Sequence, residues 1–154
     1  MEILNRKARY DYEIEDTYEA GIVLTGTEIK SIREGKVNIK DSYAIIRNDE
    51  IYLLNTHIST YKEGNIFNHE EDRTRKLLLH KKEILKLRDK LEVEGYTLVP
   101  LKIYFVKNKA KVLIGVANAS KLITYAISEK NYNKKETIKE RDIKREMERN
   151  FKYR

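Results

Sequence analysis

The sequence predicts a mainly β fold, a small antiparallel barrel with two or three helices, followed by a basic C-terminal tail. Two observations predict the barrel: short apolar runs alternate with turn-rich spacers, and two spacers are short enough to join neighbouring strands as hairpins. A third observation separates the tail, because residues 130–154 carry +5 of the net charge of +7. The chain of 154 residues is long enough for one domain with its own core. We therefore divide it into a body, residues 1–131, and a tail, residues 132–154.

The elements predicted for the first third of the chain follow from alternating apolar and polar side chains and from residues that begin or end helices. Residues 10–15 alternate between apolar and acidic side chains, which predicts a strand. The apolar run at residues 22–24 predicts a second, short strand. Residues 27–33 predict a short helix with Thr27 as its N-cap, ended by Gly35.

Two hairpins are predicted from their turns. Residues 42–47 and 51–55 flank a spacer rich in turn formers, and residues 96–106 and 109–117 flank a Lys-Asn pair. Pro100, the only proline, has no N–H to donate, which predicts an edge position or a bulge.

The middle of the chain holds a loop and the clearest helix. Residues 59–72 lack periodicity and predict a loop, whereas residues 77–79 begin either a strand or a helix. Residues 81–94 predict a helix that Gly95 ends at its C′ position. The apolar positions that share one face of this helix are Ile84, Leu87 and Leu91.

Catalytic, metal and membrane functions find little support in the composition. The absence of cysteine excludes disulfides and thiolate chemistry and suits a reducing cytosol. His57, His69 and His80 match no metal-ligand spacing, and the chain has no nucleophile elbow or phosphate loop. No apolar run is long enough for a signal peptide or a membrane span. We predict a cytoplasmic, monomeric protein that is not an enzyme and uses no metal or cofactor.

The charge balance favours RNA as the partner. A pI near 9.4 favours an anionic partner, and two basic clusters lie at residues 5–9 and 73–76. Cations neutralise phosphates, and an amide hydrogen-bonds to a base edge or a ribose hydroxyl. The alternatives are a solvated N-terminal arm and a loop that leads into a buried strand. The candidate contacts are Asn5, Arg6, Lys7, Arg9, Arg73, Arg75 and Lys76.

Two acidic residues, Glu19 and Glu28, join these candidates. A carboxylate repels phosphate, but it accepts hydrogen bonds from base amino groups or from a 2′-hydroxyl. We therefore interpret both as RNA-facing acceptors.

Four segments together resemble one known family. Residues 19–42 contain a predicted strand, a helical turn and a second strand in one short run. Polar residues occupy positions in this run where a buried core usually has apolar ones. The other segments, at residues 5–12, 73–80 and 134–142, follow in the family's order and spacing. The chain resembles the SmpB family, the SsrA-binding proteins that partner transfer-messenger RNA (tmRNA) in rescuing stalled bacterial ribosomes. The resemblance runs to about residue 117 and resumes near residue 132.

The resemblance implies a barrel of the oligonucleotide-binding (OB) type that binds the tRNA-like part of tmRNA. It implies that Asn5, Glu19 and Leu78 hold the elbow of that RNA. It also implies a supporting surface formed by Lys30, Lys36, Asn38, Lys40 and Ser42.

The tail has the composition of an arm that inserts into RNA. Correctly oriented Glu–Lys pairs four residues apart are each worth ~0.2–0.5 kcal/mol, too little to hold a short helix in isolation. We predict that the tail is disordered when free and helical when bound. The resemblance implies that it enters the ribosomal decoding site and mRNA channel. Its candidate contacts are Tyr132, Asn133, Lys134, Lys135, Lys139, Arg141, Lys144, Arg145, Met147 and Phe151.

Residues 118–131 depart from the family, which usually has a short basic Gly-Lys-Lys segment there, and Asn133 stands where the family usually has Asp. An alternative function is a general OB-type binder of single-stranded nucleic acid. Such binders need aromatic stacking platforms, and the chain's eleven Tyr and three Phe form no evident stacking face. We therefore predict a non-catalytic tmRNA-binding protein that acts on the ribosome.

Overall fold

A computed structural model of the chain describes residues 1–93 and 95–118, with the backbone alone for residues 65–67. Within these residues the helices are α1 (Arg6–Asp11), α2 (Gly26–Arg33), α3 (Lys81–Leu91) and a short 3-10 helix, Lys62–Phe67. The strands are β1 (Glu2–Leu4), β2 (Glu13–Ile22), β3 (Val37–Asn38), β4 (Tyr43–Arg47), β5 (Glu50–Leu54), β6 (His57–Ile58), β7 (Arg75–Leu78), β8 (Tyr96–Val106) and β9 (Lys109–Asn118). The proposed boundary between body and tail, and the tail itself, lie outside the described residues.

Six of these strands close into a barrel. Hydrogen-bonded neighbours run β8–β4–β5–β7–β2–β9, and β9 pairs with β8 to complete the ring. The pairs are antiparallel throughout. β1 pairs with β8 alongside β4, and β3 pairs with β6 in a separate ribbon. The predicted mainly β antiparallel barrel with helices is confirmed.

The barrel interior holds the main hydrophobic core. Fully buried side chains from opposite strands meet there, and each buried Val, Leu or Ile contributes about 1.5–3 kcal/mol relative to an exposed position. α2 adds Ile32, and α3 adds Ile84 and Leu87. The members of this core that lie on the six barrel strands and have no exposed surface are Ala20, Ala44, Ile51, Leu53, Leu98, Ile103, Val112 and Ile114.

A second, smaller core fixes α1 on the outside of the barrel. Ala8 of α1 packs with Val99, Leu101 and Ala117 of β8 and β9. The register of β8 on β9 shifts between Pro100 and Lys102, so the bulge predicted from Pro100 is confirmed. Val99 and Leu101, two positions apart, lie on the outer side of the sheet beneath α1. The bulge lets Ile103 face the main core as Leu98 does, although the two are five positions apart.

Both predicted hairpins are confirmed, since β4 pairs with β5 and β8 pairs with β9. Asn48 and Asp49 have φ values of 53° and 59°, and Lys107 and Asn108 have 50° and 66°. Positive φ at both central residues belongs to the tight turns whose twist matches that of the flanking strands. The undecided run at residues 77–79 belongs mainly to strand β7.

Several local predictions are wrong. Residues 6–11 form a helix, so the strand predicted over residues 10–15 begins only at Glu13. It then continues to Ile22, which makes the two strands predicted over residues 10–24 a single one. The helix arises because Asn5 caps it and because Ala8 finds an apolar surface to cover.

The ends of the other two helices also differ from prediction. Thr25, rather than Thr27, is the N-cap of α2, where it forms a capping box with Glu28. α3 ends at Leu91 with Glu92 as its C-cap, and Gly95, at φ +91°, leads into β8 instead. The loop predicted over residues 59–72 contains the short 3-10 helix.

Candidate RNA-binding surface

Four of the predicted RNA contacts are buried in the fold, namely Asn5, Glu28, Ser42 and Arg75. Their burial has specific causes, and it conflicts with direct contact to RNA. The remaining candidates of the body are exposed or half-buried. They are Arg6, Lys7, Arg9, Glu19, Lys30, Lys36, Asn38, Lys40, Arg73, Lys76 and Leu78.

Glu28, Arg73 and Arg75 form a charge cluster, the Glu28 cluster, that ties α2 to β7. Nε of Arg75 donates to Oε2 of Glu28 at 2.5 Å, and Nη2 of Arg73 donates to Oε1 at 2.6 Å. Arg75 also donates to backbone carbonyls, those of Thr56 at 2.7 Å and Glu71 at 3.1 Å among them. The alternation of β7 turns Arg75 and Leu77 inward, which leaves Lys76 and Leu78 outside.

The electrostatics of this cluster are those of a structural ion pair. Glu28 and Arg75 are both 0 % exposed. Burial alone would raise the pKa of Glu28, but the hydrogen bonds from Arg73, the Thr25 amide and Arg75 lower it below its usual value. Glu28 therefore stays ionised between two guanidinium groups. The predicted RNA contacts of Glu28 and Arg75 are corrected to structural roles, because neither side chain reaches the surface.

Asn5 and Ser42 likewise have structural roles, because their polar atoms form hydrogen bonds within the protein. Oδ1 of Asn5 accepts from the Ala8 amide at 3.2 Å, and its Nδ2 donates to the carbonyls of Ile39 at 3.0 Å and Pro100 at 2.9 Å. Oγ of Ser42 donates to the Asn55 carbonyl at 2.9 Å. With Asn5 only 3 % exposed, its polar atoms are occupied, so it positions α1 rather than presenting an amide to RNA.

Asn5 thereby brings two predicted basic segments together. Its bond to Ile39 places α1 beside residues 36–42, and Nζ of Lys7 pairs with Asp41 at 3.3 Å. The exposed cations of this joint surface are Arg6, Lys7, Arg9, Lys36 and Lys40. Lys36 pairs with Glu34 at 3.0 Å, and Lys30 lies 5.3 Å from the ring of Tyr61. The two segments lie more than 25 positions apart in the sequence, yet the Asn5–Ile39 and Lys7–Asp41 contacts hold them side by side.

Glu19 lies on an exposed outer face formed by β2, β9 and β8, which we call the Glu19 face. In register, Glu19 is opposite Leu113, and Leu113 is opposite Lys102; in the next row, Lys111 is opposite Tyr104. The hydroxyl of Tyr104 donates to Oε2 of Glu19 at 2.5 Å. Burial, and then the bond to Glu19, raises the pKa of Tyr104 to about 12, so the phenol keeps its proton at any ordinary pH.

Sequence reasoning missed Lys102, Tyr104 and Lys111 on this face. A signal was present, because Lys102 and Tyr104 alternate with Ile103 on a predicted strand and so share its polar side. Nothing local, however, pairs Tyr104 with a residue 85 positions away.

A groove of about 650 Å³ adjoins the Glu19 face, and we call it the Leu78 groove. It lies between β2, the end of β7, the start of α3 and the β8–β9 turn. Leu78 is 52 % exposed there and rests against Gly21, where an added Cβ would come within 3.2 Å of the Cβ of Leu78. The other lining residues are Glu19, Ile22, Leu24, Ile29, Leu79, His80, Glu83, Asn108, Lys109, Ala110 and Lys111. The groove thus joins an exposed leucine, two lysines and two carboxylates, those of Glu19 and Glu83.

Among the described residues, no group of three or more potential ligands is arranged to hold a metal ion. None of the helices within residues 1–93 and 95–118 is long and apolar enough to cross a membrane.

Comparison with known proteins gives the family. The model of the family described as SmpB protein matches residues 2–153. The chain belongs to the SmpB family. It is 56% identical over 150 residues to the SsrA-binding protein of Shouchella clausii (strain KSM-K16), covering 97% of this chain and 90% of the relative. It is 55% identical to the SsrA-binding protein of Staphylococcus aureus (strain Newman), covering 97% and 92%.

A solved structure extends this likeness to three dimensions. The fold is similar to a chain in a structure described as "tmRNA-SmpB: a journey to the center of the bacterial ribosome". The TM-score is 0.65 at 52% sequence identity, and the match covers 76% of this chain and 82% of that one. The resemblance stated from the sequence is therefore confirmed at the level of family and fold.

Proposed function

We propose that this protein binds the tRNA-like part of tmRNA and delivers it to stalled ribosomes for trans-translation, with no catalytic step of its own. One observation carries the proposal beyond family membership. The fold brings Glu19 and Leu78, which lie 59 positions apart in the sequence, to the same groove beside Lys109 and Lys111. A folded RNA offers phosphates, 2′-hydroxyls and unstacked bases in a fixed arrangement, and this groove has one kind of group for each.

The roles of the individual groups follow from their chemistry. Lys109 and Lys111 bind phosphate oxygens, and Glu19 accepts a hydrogen bond from a base amino group or a 2′-hydroxyl. Leu78 gives an apolar contact for an unstacked base. The basic surface of α1 and residues 36–42 adds phosphate contacts that position the RNA without reading its sequence.

The tail is proposed to act on the ribosome. The sequence of residues 132–154, which lie outside the described part of the chain, spreads cations along the segment and has apolar residues at Ile143, Met147 and Phe151. We propose that they enter the decoding site and mRNA channel and become helical there, while the body holds the RNA. Because its partner would be a ribosome, we place the protein in the cytoplasm, where it acts as a monomer.

A general single-strand binder is the less favoured function. Single-strand binders stack successive bases on several aromatic side chains. Of the aromatic side chains that the structure describes, only Tyr10 is largely exposed, at 77 %.

Competition binding tests the proposal. A labelled tRNA-like RNA is titrated with the full-length protein, and then competed with unlabelled tRNA-like RNA or with an unstructured RNA of equal length. We expect the tRNA-like competitor to be much the stronger. We also expect affinity to fall steeply with salt, by a logarithmic slope of ~0.7–0.9 per phosphate contact. Equal competition by the unstructured RNA would contradict the proposal and favour the single-strand binder.

Two substitutions distinguish a specific effect of the groove from the general effect of shortening an exposed apolar side chain. Leu78→Ala removes the exposed leucine of the groove, and we expect weaker binding of the tRNA-like RNA. Val93→Ala is the control, because Val93 is 53 % exposed but lies outside the groove. Equal effects of the two substitutions would exclude Leu78 as a contact.

A further inference from the structure

The hydrogen bond between Tyr104 and Glu19 crosses a strand. Glu19 is on β2 and Tyr104 is on β8, and β9 lies between them. The phenol therefore reaches diagonally over β9, past Lys111 and Leu113, to place its hydroxyl 2.5 Å from Oε2 of Glu19. A hydrogen bond from a phenol to a carboxylate oxygen is charge-assisted, and such bonds are stronger than bonds between neutral groups.

The phenol is itself held from the other side. Nζ of Lys102 lies 4.9 Å from the centre of the Tyr104 ring and pairs with Oε1 of Glu2 on β1 at 3.3 Å. Lys102 and Tyr104 are two positions apart on one strand, so their side chains share the Glu19 face. The ring is thus fixed between a cation and a carboxylate.

This arrangement leaves half of the carboxylate available. Within the described residues, Tyr104 is the only hydrogen-bond donor to Glu19, and it occupies Oε2. Oε1 keeps its capacity to accept. A free glutamate on a sheet surface samples several rotamers, whereas one held by a phenol presents Oε1 in a single direction. The raised pKa of Tyr104 supports this arrangement, because the phenol stays a donor throughout the pH range of any binding assay.

We propose that Tyr104 is a positioning residue of the RNA-binding surface, which holds Glu19 so that Oε1 meets a donor of the bound RNA. The donor is a base amino group or a ribose 2′-hydroxyl. This inference rests on the proposed function, and it adds a residue that affects RNA binding only by positioning Glu19.

A second tyrosine–glutamate pair gives a matched control. At the other end of the same strands, the hydroxyl of Tyr96 donates to Oε1 of Glu15 at 3.0 Å. Nζ of Lys90 lies 4.3 Å from the Tyr96 ring, as Lys102 lies beside Tyr104. Lys90 also pairs with Oε2 of Glu15 at 3.4 Å, whereas Lys102 pairs with Glu2. The Tyr96 pair therefore shares the phenol–carboxylate bond and the cation beside the ring, but it lies away from the Leu78 groove.

The test is a double-mutant cycle on the full-length protein. Tyr104→Phe, Glu19→Ala, their combination and Tyr96→Phe are titrated with the tRNA-like RNA and with a perfect RNA duplex of equal length. We expect Tyr104→Phe to weaken binding of the tRNA-like RNA about three- to tenfold. The thermal midpoint and the affinity for the duplex should stay near those of the wild type. The double variant should bind no more than about twofold more weakly than Glu19→Ala, because the phenol acts only through Glu19.

Each contrary outcome has a distinct meaning. Wild-type affinity in Tyr104→Phe, losses that add in the double variant, or an equal loss in Tyr96→Phe would overturn the positioning role. An equal loss on the duplex would overturn it too, since the effect would then concern phosphate binding alone. If the wild type itself shows no preference for the tRNA-like RNA, the proposed function is wrong and the inference falls with it.

Discussion

Replacing Glu28 by glutamine removes the charge that neutralises a fully buried arginine. The amide keeps the size of the side chain and retains an acceptor for the Thr25 amide and Arg73, so steric effects are small. Arg75, however, is 0 % exposed and loses the buried carboxylate that it pairs with. Breaking a buried pair by removing one partner costs about 3–5 kcal/mol. Because Arg75 keeps its bonds to the backbone carbonyls of Thr56 and Glu71, we expect a value near the lower end, about 3 kcal/mol.

Urea unfolding followed by far-ultraviolet circular dichroism measures this loss by linear extrapolation. The control is Arg88→Gln, which breaks an exposed pair with Asp49 that has the same 2.5 Å separation. That pair should contribute no more than about 1 kcal/mol, because solvent screens it. RNA affinity, measured where both variants remain folded, should be unchanged in each. If Glu28→Gln unfolds like the wild type but binds RNA weakly, Glu28 is an RNA contact and its structural assignment is wrong.

Three further predictions concern the pH dependence of stability, the roles of Asn5 and Glu19, and the tail. The pKa of Glu28 is lowered from its usual 4.5 in the folded protein, so its stabilising effect is full above that value and is lost as the pH falls through the folded pKa. As the pH is lowered, the unfolding free energy should therefore fall more steeply for the wild type than for Glu28→Gln. Parallel curves for the two proteins would contradict the lowered pKa of Glu28. Asn5→Ala should lower the unfolding free energy by about 1–3 kcal/mol, since it leaves buried groups unpaired, whereas Glu19→Ala should weaken RNA binding at nearly constant stability. Glu13→Ala, on the same strand as Glu19, is the control for RNA binding. If Asn5→Ala weakens RNA binding and Glu19→Ala lowers stability instead, the roles assigned to Asn5 and Glu19 are the wrong way round. Deleting residues 132–154 should leave the affinity for tRNA-like RNA largely intact at moderate salt but abolish peptide tagging on stalled ribosomes in vitro, and full tagging by the truncated protein would refute the division into body and tail.

The parts of the fold that sequence predicts well are those whose signals are local. The β4–β5 and β8–β9 hairpins carry their turn residues between two apolar runs, and α3 carries a complete apolar face. The bulge follows from one residue, since a proline cannot donate to the ladder. By contrast, α1 is six residues long, too short for periodicity to distinguish it from an alternating strand. Its cap depends on Asn5, which reaches carbonyls 34 and 95 positions away.

Only part of the candidate site could be predicted from the sequence, for a similar reason. Charge and residue type find the basic segments, and resemblance to a family singles out Glu19 and Leu78. Neither shows that Arg75 points into the barrel while Lys76 points out, because a basic run looks alike on both faces of a strand. The counter-charge of Arg75 lies 47 positions away at Glu28, and the partner of Glu19 lies 85 positions away at Tyr104. Pairing over such distances is decided by the barrel, so it requires the structure.

The most direct test of the RNA-binding surface is a backbone amide NMR titration of the protein with the tRNA-like RNA. We predict the largest shift changes at Glu19, Leu78, Tyr104 and Lys111, with a second group around α1 and residues 36–42. The outer face of β4 and β5, opposite β2 and β9 in the ring, should change little. Shift changes concentrated on β4 and β5, with the Glu19 face and the Leu78 groove unperturbed, would contradict this assignment.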